Sequence, residues 1–142
     1  MAAEHVEAIR RVYAAMASGD FWAAGRLFDP AIVWRWGPKL SGITGRGEYH
    51  GIDGVERATR DFFEAWDRFT QDAEELIDVG DGVLAITRAR ARPRGSDREL
   101  ETTSAELWTF RDGKVVRFEQ FDSREEALAA AEIHTALRPG DE

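Results

Sequence analysis

The chain is expected to fold as α+β, a curved antiparallel sheet wrapped around helices to form a cone. Three observations lead there. Two amphipathic helical stretches and a short strand come first, then a third helix, then four strands in succession. The stretch Glu99–Asp122, ELETTSAELWTFRDGKVVRFEQFD, alternates apolar and polar residues around an Asp-Gly reversal, which marks a long hairpin. Five Trp and eight Phe supply large flat side chains for an enclosed core.

Taken in order, Glu4–Ser18 reads as a helix, with Val6, Ile9, Tyr13 and Met16 on one stripe and Gly19 as its stop. Asp20 is expected to cap a second short helix, Phe21–Phe28, with Trp22 and Leu27 inward, and Asp29-Pro30 to break it. Ala31–Trp36 is rich in strand formers. Gly37–His50 holds four glycines and a proline and reads as a loop. Asp53 is expected to cap a third helix running to about Phe69, with Val55, Phe62, Trp66 and Phe69 on its stripe and Phe63 beside it. Thr70–Val79 reads as an outer strand, Gly80-Asp81-Gly82 as a turn, Val83–Arg92 as a strand and Pro93–Asp97 as a polar loop. After the hairpin, Ser123 with Glu126 forms a capping box for a last helix that ends before Pro139, leaving 138–142 as a loose tail.

In the hairpin, a three-residue loop with Gly113 left-handed would pair Phe110 with Lys114, Trp108 with Val116, Glu106 with Phe118 and Ser104 with Gln120. One face then carries Thr102, Ser104, Glu106, Trp108, Val116, Phe118, Gln120 and Asp122. A carboxylate between a Trp and a Phe is costly unless compensated, so Glu106 is either a proton donor of raised pKa or half of a buried ion pair. Arg88 is the expected partner if Leu84, Ile86, Arg88 and Arg90 face inward. Asp122 reads either as a base near the cone mouth or as a cap for the helix that follows. The run Arg88, Arg90, Arg92, Arg94 reads as an anion-gripping stripe or as a solvated strand paired to Glu99 and Glu101. Trp34, Trp36, Tyr49, Phe63, Trp66 and Trp108 suit the core or a flat apolar ligand, and His50 could line the mouth. The other hairpin face, Thr103, Ala105, Leu107, Arg117, Glu119 and Phe121, is apolar enough in part to need a cover, for which a two-fold partner sheet is expected.

At 142 residues one domain is expected over 1–142, long enough to bury about two thirds of its unfolded surface. A net charge of −8 argues against nucleic-acid and anionic-membrane binding. The absence of cysteine excludes disulfides, thiolate metal sites and a thiol nucleophile, and is compatible with the cytoplasm. The first residues lack the apolar core of a signal peptide, and no apolar run approaches the ~18 residues of a membrane span. His5, His50 and His134 have no metal-ligand spacing, and no phosphate- or dinucleotide-binding glycine pattern is present, so neither metal nor cofactor is expected.

The segments RRVYAAMASGDFWAAGRLFDPAIVWRW, YHGIDGV and AELWTFRDGKVVRFEQFDSREEALAAA resemble the nuclear transport factor 2-like superfamily, in its SnoaL-like and ketosteroid isomerase-like branch. The resemblance implies a cystatin-like cone and a small-molecule pocket. It also implies a general-base position at the end of the first strand, held here by Arg35, or by Trp36 if the register slips; an arginine cannot act as that base. Glu106 matches the family's oxyanion-hole acid, Tyr13 lies one residue from its helix-one tyrosine, and Asp122 matches a late acidic position of SnoaL-like cyclases. The expected function is binding of a small, largely apolar or aromatic molecule. If the protein is an enzyme, the expected reaction is a cofactor-free isomerisation, cyclisation or hydration in which Glu106 and Asp122 move protons and Arg35 or Arg88 polarises the substrate. Tyr13, Trp34, Trp36, Tyr49, His50, Phe63, Trp66, Arg88, Trp108, Phe118 and Gln120 would line the site. The alternative is a non-catalytic ligand-binding or dimerisation module of the same fold.

Overall fold

The computed structural model describes residues 2–18 and 25–137. The expected Gly19 stop, the Asp20 cap, the inward Trp22 and the tail 138–142 lie outside the described residues. Among the described residues the elements are α1 (Ala2–Ala17), β1 (Phe28–Arg35), α2 (Pro38–Thr44), β2 (Glu48–His50), α3 (Gly51–Glu64), β3 (Trp66–Asp78), β4 (Gly82–Pro93), β5 (Leu100–Arg111), β6 (Lys114–Phe121) and α4 (Arg124–Leu137). The six strands form one curved, unclosed sheet in the order β2-β1-β6-β5-β4-β3. Neighbours are antiparallel except β1 and β6, which run parallel.

The inner face of the sheet holds the main core. Ile9, Val12 and Tyr13 of α1 and Val55, Ala58 and Phe62 of α3 pack there against Trp34, Val83, Ala85, Trp108, Phe110, Val115 and Phe118. The outer face carries a second cluster, in which Ala127 and Ala131 of α4 cover Leu84, Ala105 and Leu107, with Phe121 and Leu128 at its margin. The apolar back expected to require a partner sheet is therefore covered, at Ala105, Leu107 and Phe121, by the chain's own last helix. Ser123 opens that helix as expected: its hydroxyl accepts the Glu126 amide at 3.2 Å and donates to the Glu126 carboxylate at 3.1 Å.

Four local expectations differ. Gly37–His50 contains α2 and β2 rather than only loop. Pro38 starts α2 at a position where a missing N–H costs nothing, and Gly45, at φ 85°, ends it. Helix α3 begins at Gly51 and stops at Glu64, so Asp53 sits in its first turn and Trp66 and Phe69 open β3. Phe28 starts β1 rather than ending a helix. The hairpin turns on two residues, Asp112 and Gly113, with φ of 52° and 78°, the left-handed pair whose twist matches the flanking strands.

The tighter turn shifts the hairpin register. Phe110 pairs with Val115, a bulge skips Val116, and Trp108 then pairs with Phe118 and Glu106 with Gln120. Val115, not Val116, is the valine buried in the core. A second bulge, between Ala73 and Glu75 of β3, lets two successive carboxylates serve the outer face: Glu74 binds Arg88 at 3.0 Å and Glu75 grips Arg124 of α4 at 2.9 Å.

Candidate functional site

Glu106 points inward from the middle of β5, between its cross-strand partners Ala85 and Gln120. It is 7% exposed. Its Oε1 accepts the hydroxyl of Tyr13 from α1. The same hydroxyl accepts the indole N–H of Trp108 at 3.0 Å, and the Tyr13 ring stands edge-on to Trp108. The other oxygen, Oε2, accepts from Gln71 Nε2 of β3 at 3.4 Å. That amide also donates to Thr87 Oγ1 of β4 at 3.2 Å, and Thr87 meets Ser104 Oγ of β5 at 3.0 Å. Five residues from four elements thus form one polar network around a buried carboxyl, with the half-buried Ser104 at its far end.

Burial dominates the electrostatics. It pushes the Glu106 carboxyl above the ordinary value of 4.5, and the hydrogen bonds from Tyr13 and Gln71 hold it back only in part. Burial and the adjacent Glu106 together raise the Tyr13 phenol well above its ordinary value. Glu106 is therefore poised as a neutral acid at a pH where exposed carboxyls are ionised, and Tyr13 stays a hydrogen-bond donor.

An aromatic wall adjoins this network at Trp108. Trp34 stacks on Phe118 with centroids 3.9 Å apart and lies edge-on to Trp108 at 5.7 Å. Trp36 stacks on Phe62 at 5.3 Å, and Phe62 meets Trp66 and Phe69 at 5.9 and 4.8 Å. Of the expected lining, Tyr13, Trp34, Trp36, Tyr49, Trp66, Trp108 and Phe118 all belong to the inner cluster. Tyr49 is tied down there, its hydroxyl donating to Asp61 at 2.9 Å. Phe63 is 47% exposed. Gln120 is buried but committed to structure: its Oε1 accepts the Gly37 amide at 2.8 Å, where a Cβ on Gly37 would collide with it.

The charged candidates do not gather around Glu106. Arg88 lies on the outer face with Leu84 and Ile86, not on the inner one, because Val83, Ala85 and Thr87 take the inner positions of β4. It is exposed and binds Glu74 and Glu101 at 3.0 and 3.1 Å, while Arg90 binds Glu101 at 3.2 Å. The alternative of an ion pair between Arg88 and Glu106 is thereby overturned. Arg35 also faces outward, since its neighbour Trp34 takes the inner side; it binds Glu48 at 2.8 Å and reaches Glu119 at 3.8 Å. His50 is exposed and meets Glu48 at 2.8 Å. Asp122 lies just past β6, 3.5 Å from Gln120 Nε2, and Ser123 rather than Asp122 caps α4. Among the described residues no group of His, Asp and Glu is arranged to hold a metal ion, and no helix is long and apolar enough to cross a membrane.

Sequence reasoning missed Gln71 and Thr87. The available signal was the run Phe69, Gln71, Ala73, which places a lone amide on an otherwise apolar inner row.

The sequence profile of the SnoaL-like domain matches residues 9–118. No curated protein matches the chain. Among solved structures, a nuclear transport factor 2-like protein from Burkholderia thailandensis is 30% identical with a TM-score of 0.74, covering 89% of this chain and 95% of its own. TerC, co-crystallised with polyporic acid, is 20% identical with a TM-score of 0.75, covering 90% of this chain and 98% of its own. Bal32a, from a soil-derived mobile gene cassette, is 23% identical with a TM-score of 0.73, covering 89% and 95%. The chain belongs to the SnoaL-like domain family of the nuclear transport factor 2-like superfamily.

Proposed function

We propose that this protein binds a small, largely apolar molecule against the inner aromatic wall and transforms it without a cofactor, with Glu106 exchanging the proton. The observation that carries the reading is a carboxyl more than nine-tenths buried whose hydrogen-bond partners among the described residues, Tyr13 and Gln71, are both neutral. An ion pair would have fixed Glu106 as a permanent anion; this setting leaves it free to donate a proton and take it back. Isomerisation, cyclisation and hydration all need such a group. The rings of Trp34, Trp36, Phe62 and Trp66 suit a flat ligand. Arg35 and Arg88 face outward, away from that wall, so the proton transfer is assigned to Glu106 alone. The solved relative TerC, crystallised with polyporic acid, supports an organic ligand for this fold.

A non-catalytic binding module is the second reading, favoured by the dense ring contacts among Trp34, Trp108 and Phe118 in the core. A homodimer of either kind would use the outer stretch that α4 leaves open, around Arg88, Arg90 and Glu101. Native mass spectrometry of the protein purified from its own host tests the reading. A co-purified small organic molecule, retained unchanged by Glu106→Gln and converted by the original protein, supports catalysis. A molecule retained but never converted by either supports the module.

A further inference from the structure

We propose that Gln71 is the positioning residue of the Glu106 carboxyl: it holds Oε2 as the edge that exchanges a proton with the ligand, and its amide reverses when that edge gains or loses the proton. The inference rests on the acid–base reading of Glu106 above.

The two oxygens of Glu106 are not equivalent. Trp108 donates into the Tyr13 hydroxyl, which directs the hydroxyl's own hydrogen at Oε1. Oε1 is thereby held as an acceptor in both protonation states, so a proton on Glu106 sits on Oε2. The group facing Oε2 is the Gln71 amide. As placed, its N–H donates, which suits a bare oxygen. Against a protonated Oε2 the same N–H would meet a hydrogen, whereas the amide carbonyl, reached by a half-turn of the terminal torsion, would accept it. A side-chain carboxamide offers a donor and an acceptor of nearly the same shape in one place.

The second partner of the same Gln71 nitrogen tolerates either orientation, because a half-turn would bring the carbonyl oxygen to it as well. That partner is the hydroxyl of Thr87, which can donate or accept, and Thr87 in turn meets the Ser104 hydroxyl and lies 3.4 Å from the Ser104 carbonyl oxygen. A reversal at Gln71 is absorbed by two hydroxyl rotations with no movement of the sheet. The groups in hydrogen-bond contact with Glu106 are Tyr13 from α1 and Gln71 from β3; Tyr13 is the ionisable one, and it remains protonated throughout.

Carbon- and nitrogen-detected magnetic resonance tests this without any ligand. The Glu106 carboxyl and the Gln71 side-chain amide are followed through a pH titration in the original protein, in Gln71→Met and in Thr87→Val. The expected result is one shared midpoint for both groups, with Glu106 moving up by about one pH unit in Gln71→Met, where the donor to the charged form is gone. Thr87→Val, which keeps the Glu106 contact, should leave the carboxyl midpoint nearly in place while weakening the Gln71 response. A Glu106 carboxyl that titrates while the Gln71 amide stays still, or a midpoint unmoved in Gln71→Met, overturns the positioning role and leaves the acid–base reading standing. A carboxyl with no raised midpoint overturns both.

Discussion

Tyr13 gives its hydroxyl hydrogen to Glu106 and takes the indole N–H of Trp108 at 3.0 Å, so one phenol satisfies two groups that the core has removed from water. Tyr13→Phe leaves both without that partner. A lost buried partner costs about 2 kcal/mol, and chemical denaturation should show a loss of that order. The Glu106 midpoint should also rise, because the hydrogen bond that favoured its charged form is gone. Unchanged stability in Tyr13→Phe would mean that water replaces the hydroxyl.

Glu106 sets a pH dependence of definite sign. Its folded midpoint lies above the ordinary value of 4.5, so the folded state holds a proton that the unfolded chain releases. This contribution to stability is complete below about 4.5 and is lost as pH rises through the raised midpoint. Glu48 acts in the opposite sense, since Arg35 and His50 lower its midpoint and its contribution fades only in acid. Melting curves should therefore fall on the alkaline side of 4.5 in the original protein and flatten in Glu106→Gln, which cannot ionise.

Gly82 faces the carbonyl of Trp108 so closely that a Cβ there would overlap the oxygen. Gly82→Ala should cost about 3 kcal/mol or more, because the obstacle is backbone and cannot swing aside. The same strand pairing sets Trp108, so the indole that serves Tyr13 should shift as well. Near-ultraviolet circular dichroism would register that shift alongside the fall in melting temperature.

The outward arginines make a contrasting case. Arg88→Ala breaks exposed pairs with Glu74 and Glu101, worth well under 1 kcal/mol apiece in solvent. It should change neither ligand retention nor the Glu106 midpoint. An effect on either would place Arg88 in communication with the inner face.

The hairpin was readable from sequence because its alternation is strict: Glu106, Trp108, Phe118 and Gln120 share a face as expected, even though the turn is shorter and Val115 replaces Val116. Strand β4 was readable as a strand over Val83–Arg92, but its inward face was not, because Val83 and Ala85 on one side and Leu84 and Ile86 on the other are all apolar, one row beneath the inner core and one beneath α4. With both faces covered, alternation carries no phase, and the side that Arg88 takes stays open in the sequence. Strand β3 hides its phase differently, since its register shifts near Asp67 and near Glu74 break the two-residue period on either side of Gln71. Helix α2 was not legible, because the four glycines and the proline of Gly37–His50 read as loop, although Pro38 and Gly45 mark where the helix starts and ends.

The account depends on a neutral acid sealed into the aromatic side of the sheet. Infrared spectroscopy of the carboxyl stretch, with Glu106→Gln to assign the band, measures this directly. A protonated-carboxyl band that persists well above pH 4.5 and vanishes in Glu106→Gln is the predicted result. No such band, with every carboxyl ionised by the pH at which exposed glutamates are, would contradict it.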